Sequence, residues 1–283
     1  MMNAGRKRKL LAWFAICLLV ACAAMPQLSL ADMKVNEGSG WDTPEDAVMQ
    51  YLEGLKEQDL GKMISAYAIE TYIDHFDLKA QLTRAAGYTN NAIPSMPNAS
   101  SLLRDINIEA RKNQIVRTIL SQITSICLPG QDFFQPTPIP DGEAAKAFVD
   151  GIEGAYHAVN FDTLTFFRFV PPEQITELYA SETNQENLKK QIAPYGAEEA
   201  RSVIAVFFVG ENICALPCDA IRYEDRWFMH QPRGNIGALL GLDTSTGGII
   251  SVPQAELLNI LGDLGQLDTP IQDILDDLLS NFF

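Results

Sequence analysis

Eight residues constrain this chain more than any others: Ser202-Val203-Ile204-Ala205-Val206-Phe207-Phe208-Val209. The run is β-branched and aromatic, and it is apolar at both odd and even positions. Successive side chains of a strand point to opposite faces, so such a strand is covered on both sides and lies centrally in a sheet. The turn Gly210-Glu211-Asn212 follows, then a second strand over 213–223. Glu224-Asp225 turns the chain into a third over 226–231. Upstream, Phe161–Val170 is aromatic-rich and bounded by Pro171 and Pro172, and it reads as a further strand. Pro217, which lacks an N–H, marks an edge or a bulge of the 213–223 strand.

Before residue 160 the period changes from two to 3.6. Thr43 is a good N-cap, Pro44 suits a first turn, and Glu45 and Asp46 sit at the positive end of the helix dipole. Val48, Tyr51, Leu52 and Leu55 give this helix one apolar face, and Asp59 caps a second with Leu60, Met63, Ile64 and Tyr67 inside. Helical spacing recurs over 101–127 and 142–159, separated by a segment with four prolines, 128–142. Short helices are expected in 171–179 and 184–192. Residues 32–42 form a polar lead-in. Beyond 250, an acidic amphipathic stretch holds two more helices. In the second of these, Ile271, Ile274, Leu275, Leu278 and Phe282 line one side.

The fold class expected is therefore α+β: helices packed on a bent antiparallel sheet, with a helical elaboration over about 78–159 and a helical appendage over 251–283. The main domain spans 43–250.

The first 31 residues give an address. Four bases (Arg6, Lys7, Arg8, Lys9) precede sixteen uncharged residues, then Pro26 and Ser29-Leu30-Ala31. This is the layout of a secretion signal of bacterial type cut after Ala31, and the apolar run is too short for a permanent span of about 20 residues. The alternative is Leu19-Val20-Ala21-Cys22, which resembles a lipobox and would make Cys22 a lipidated N-terminus. Either cut gives an extracellular or cell-envelope protein with no transmembrane span. Losing the four bases leaves 17 Lys and Arg against 36 Asp and Glu, a net charge of −19. Nucleic acid is excluded as a partner, because phosphate contacts need a basic face. A small ligand or an envelope protein remains.

The stretch 43–68 and the strands 203–230 together resemble the nuclear-transport-factor-type, cystatin-like cone-fold superfamily. Thr43–Ala68 is similar to its opening helix pair, and Val203–His230 to its closing strands, with Trp227 on the last. The resemblance implies a sheet whose concavity is a pocket in some members and closed in others. Members include enzymes, binding modules and structural domains.

The candidate chemical residues are few. His230 lies on the last strand, sharing a face with Phe228. Asp74 and His75 adjoin in sequence, but helix neighbours do not face each other. His157 has no evident partner. Each reads first as an ordinary core or surface residue and only second as an acid–base group. No nucleophile elbow, phosphate loop or dinucleotide fingerprint is present. Cys214 and Cys218 make a poor zinc half-site, so no metal or cofactor is expected. Cys127, Cys214 and Cys218 are an odd set, and on one strand Cys214 and Cys218 would lie roughly 13 Å apart, beyond disulfide reach. The functional expectation is a non-enzymatic binding module. Its alternatives are an acid–base isomerase- or hydrolase-like enzyme using the concavity, or a purely structural envelope protein.

Overall fold

The computed structural model describes residues 37–85, 98–129, 142–175, 181–232 and 248–253. The chain divides into Met1–Val35 and a compact unit, Asn36–Phe283. The signal, the Cys22 alternative and nearly all of 251–283 lie outside the described residues.

Helix α1 (Pro44–Lys56) begins as its sequence requires. Thr43 Oγ1 accepts from the Asp46 amide, Pro44 opens the first turn, and Glu45 and Asp46 face the amide dipole. Asp59 then caps α2 (Leu60–Ser65) by accepting from the Lys62 amide at 3.0 Å. The two helices pack closely at Gly54, where an added Cβ would stand 2.7 Å from the Met63 nitrogen. Next come α3 (Glu70–Asp74), α4 (Leu78–Ala85), the 27-residue α5 (Ser101–Cys127) and α6 (Glu143–Ala158). Strand β1 (Thr165–Val170) is followed by α7 (Pro172–Ile175) and α8 (Glu182–Ile192). The remaining strands are β2 (Glu199–Val209), β3 (Asn212–Tyr223), β4 (Arg226–Pro232) and β5 (Ile250–Pro253).

The sheet is antiparallel in the order β1-β2-β3-β4, and β5 pairs with β3. The protein is thus α+β, with helices on an antiparallel meander. β5, which the sequence pattern does not announce, places Val252 opposite Ile213. Pro217 sits in the central strand β3, not at a sheet edge or bulge. β4 covers β3 from Cys218 onward and β5 covers it up to Ala215, so Pro217 falls in the gap between them. There its missing donor costs the ladder nothing. The bulge lies instead in β4 at His230: Asp219 pairs with Gln231 and Ala220 with Met229.

Both faces of β2 are buried, as its composition demands. On the inner face Val203, Ala205 and Phe207 pair with Cys218, Leu216 and Cys214. Helices α1 and α5 cover this face. Tyr51 of α1 lies near Cys218, and Asn212 donates to the Ile126 carbonyl of α5 at 3.2 Å. Helix α5 is therefore a full layer of the core, with Ile108, Ile115, Ile119 and Ile126 buried. The outer edge of β4 is also closed. Trp41 bridges Trp227 and Tyr67 bridges Met229, so the lead-in and the segment just past α2 guard an otherwise free strand edge. Gly40 permits this: its φ is +75°, and an added Cβ would stand 2.6 Å from that of Arg226.

Candidate functional site

The structure separates Asp74 from His75. Asp74 closes α3, where its carboxylate receives Arg104 in bidentate fashion, Nε to Oδ1 at 2.6 Å and Nη2 to Oδ2 at 2.7 Å. Arg104 also reaches Glu70 at 3.2 Å, which ties the start of α5 to α3. The Arg104 hydrogen bonds hold the Asp74 carboxyl below the usual aspartate range. His75 caps the same helix, its Nδ1 2.8 Å from the Thr71 carbonyl, and its ring lies 5.1 Å from Tyr223. No acid–base dyad forms: the carboxylate faces an arginine, and the imidazole faces a backbone oxygen and a phenol ring.

His230 is buried in an aromatic corner. Its ring centroid lies 5.2 Å from Tyr195 and 5.8 Å from Tyr72, and those two tyrosines stack at 4.3 Å. The Tyr223 hydroxyl donates to the Tyr195 carbonyl at 2.9 Å, which binds the corner to the end of β3. Arg111 of α5 enters it almost fully buried. Its Nη2 donates to the His230 carbonyl at 3.0 Å and its Nε to that of Ala68 at 3.4 Å, while its guanidinium lies 4.3 Å over the Tyr72 ring. Burial pushes the Tyr72 and Tyr223 phenols far above the ordinary range, so they stay protonated as packing groups. The corner is a clamp: one cation, charge-assisted to two carbonyls and stacked on a ring, fixes α5 to β4 and to the loop after α2.

Side chains fill the space under the inner face. Tyr51 and Tyr67 meet edge-to-face at 6.1 Å, and the Tyr51 hydroxyl donates to Gln122 Oε1 at 2.5 Å, in a site with no exposure. The Tyr67 hydroxyl faces the same amide but makes no hydrogen bond, and neither does Gln122 Nε2. Where the cone resemblance implies a possible pocket, the described residues form a packed core with one polar pair at its centre.

Cys127, Cys214 and Cys218 are all free and buried, so no 214–218 bridge exists. Burial pushes the Cys127 thiol up to about 11 and that of Cys214 to about 12. Among the described residues no group of three His, Cys, Asp or Glu side chains is placed to hold a metal. No described helix is long and apolar enough to cross a membrane. An open cleft of about 640 Å³ between α4 and the end of α8 is lined by Asp77, Lys79, Ala80, Thr83, Lys190 and Ala193. Asp77 is occupied there as the cap of α4, and Lys190 pairs with Glu186.

No protein-family model matches the chain, and no curated protein matches it. Among solved structures, a cystatin-like protein from Ruminococcus gnavus is similar at 16% identity with a TM-score of 0.36. That similarity covers 66% of this chain and 39% of the other.

One surface is unusual for a packed domain. Helix α6 has no buried residue, although Ala145, Phe148, Ile152, Ala155 and Val159 recur at helical spacing. Phe148 is 38% exposed, Val149 49% and Tyr156 37%, and the neighbouring Leu120 of α5 is 60% exposed. The Tyr156 and Thr124 hydroxyls, 2.8 Å apart, join the two helices. Gly151 and Gly154 leave open space on the adjoining side, where an added Cβ would meet nothing within 4 Å. The periodicity of α6 predicts a helix with one apolar side. The structure shows an amphipathic helix laid on the outside.

Proposed function

We propose that this chain is an exported envelope protein of the cone-fold superfamily that acts as a protein-binding module through α6 and the adjoining turns of α5. The exposed apolar face of α6 carries this reading. A helix of 16 residues is marginal alone in water and gains its stability by burying an apolar face. Contiguous exposed apolar residues on a globular protein mark interaction sites. The filled inner face supports the same reading, since the sheet's concavity is occupied by Tyr51, Tyr67 and Gln122. The basic stretch at 6–9, the apolar run and Ser29-Leu30-Ala31 support export.

The test is comparative capture from an envelope fraction, with the exported protein carrying Phe148→Glu and Val149→Glu as the control bait. A protein retained by wild type and lost by the double variant, with circular dichroism and melting unchanged, supports the reading. Equal capture by both, or capture by neither, removes α6 as the binding surface.

A further inference from the structure

The sheet has a second apolar face, opposite the one that α1 and α5 cover. Ile204, Val206 and Phe208 of β2 pair with Pro217, Ala215 and Ile213 of β3, and Val170 of β1 pairs with Ile204. Ile250 and Val252 of β5 extend this face beyond β3. Val170, Ile204, Val206 and Phe208 form a buried cluster, and Phe167, Ile213, Ala215 and Ile250 pack half-buried around it. Helix α8 leads into the Tyr195 corner at the other end of β3, and α7 is a single turn. Both pack on β2, and the rim at Phe208, Ile213 and Ile250 lies at the opposite end of β3 from that corner.

We propose that residues 270–282 of this same chain dock across that outer face as an amphipathic helix, making the sheet the middle layer of three. Chain path supports it. Pro253, paired with Asn212, leaves β5 beside Ile213, and 30 further residues follow, 254–283. Length supports it too. Thirteen helical residues span about 20 Å, and the sheet from β5 through β3 and β2 to β1 is three strand spacings, about 14–15 Å, across. The pattern supports it as well. At 100° per residue Ile271, Ile274, Leu275, Leu278 and Phe282 fall within one arc, and Asp273, Asp276 and Asp277 fall on the opposite side. The acids then face water and the apolar arc meets the sheet. A tethered segment also outcompetes a free partner, because a short linker holds it at an effective concentration near millimolar.

The full-length chain tests this with p-benzoylphenylalanine in place of Phe167, which keeps an aromatic ring at the rim of the patch. Irradiation at high dilution should link position 167 to a peptide from 270–283 within one chain. Leu275→Glu with Leu278→Glu in the full chain should abolish that link, lower the melting temperature and raise the fluorescence of an apolar dye. Asp276→Lys, on the water-facing side, should leave all three readouts unchanged. Links only to a second copy, links to another segment, or no links with an unchanged melting temperature in the leucine double variant would each overturn the proposal.

Discussion

Removing a single oxygen from Tyr51 should cost far more than removing its counterpart from Tyr67, although both rings sit in the same core. In Tyr51→Phe the 2.5 Å bond to Gln122 Oε1 is lost, and the amide oxygen is stranded where no water reaches. Orphaning a buried acceptor costs about 1–3 kcal/mol. Taking about 2 kcal/mol, and about 2–4 °C per kcal/mol for a domain of this size, the melting temperature falls by about 4–8 °C. Tyr67→Phe deletes a hydroxyl that faces Gln122 Nε2 outside hydrogen-bond geometry, so it should lie within about 0.5 kcal/mol of wild type or exceed it. Gln122→Met orphans the Tyr51 hydroxyl and should resemble Tyr51→Phe. The double variant Tyr51→Phe/Gln122→Met removes both partners and should recover about 1–2 kcal/mol relative to additivity. Urea midpoints with constant slope measure all four. A costly Tyr67→Phe beside a neutral Tyr51→Phe would refute the assignment of the polar pair.

Other outcomes follow from separate features. In Arg104→Gln the Asp74 carboxyl should titrate at higher pH than in wild type, as read by carboxyl carbon NMR. Because its folded pKa is depressed, the stabilisation it gives is present above the ordinary aspartate value of about 3.9 and is lost as pH falls through the lower folded value. Gly40→Ala, forced to φ +75° with its Cβ against Arg226 and Phe228, should lower the melting temperature and open the Trp41–Trp227 bridge, visible as a red shift of tryptophan emission. Cys127, Cys214 and Cys218 should resist Ellman's reagent in the native protein and react on unfolding. Intact mass of the exported protein should show Asp32 at the N-terminus, and a diacylglycerol adduct on Cys22 would replace that reading with the lipid-anchored one.

Local chemistry made the meander and the first helix pair legible. Caps, acidic first turns and two-residue turns act within a few positions of themselves, so Thr43, Asp59 and Glu224-Asp225 announce what they do. The Arg111 clamp and the Gln122 pair were hidden because each is decided by a partner more than 40 positions away. A signal for them exists nonetheless. Ile108, Arg111, Ile115, Ile119, Gln122 and Ile126 keep the three-and-four spacing of one helix face, so two polar residues stand in phase with the buried ones. The outward placement of α6 was illegible for a different reason. Periodicity reports that a helix has an apolar face, not what lies against it. β5 was missed because a four-residue strand beside Gly247-Gly248 carries too little pattern to stand out from a turn.

The closure of the β4 edge by Trp41 also sets the order of events as the chain is made. Asp42, which ion-pairs with Arg226, lies 184 positions ahead of it. A chain emerging N-terminus first, from a ribosome or through a membrane pore, presents α1 and α2 long before the strand they need. Bringing ends so far apart together costs about 4–5 kcal/mol of loop entropy, and topologies dominated by such distant pairings fold slowly. Until residues 226–230 emerge, Trp41 and Tyr67 have no strand edge to close upon. The protein is thereby kept from closing its β4 edge until nearly the whole domain has been made. A nascent chain halted short of Arg226 is correspondingly an open substrate for proteases.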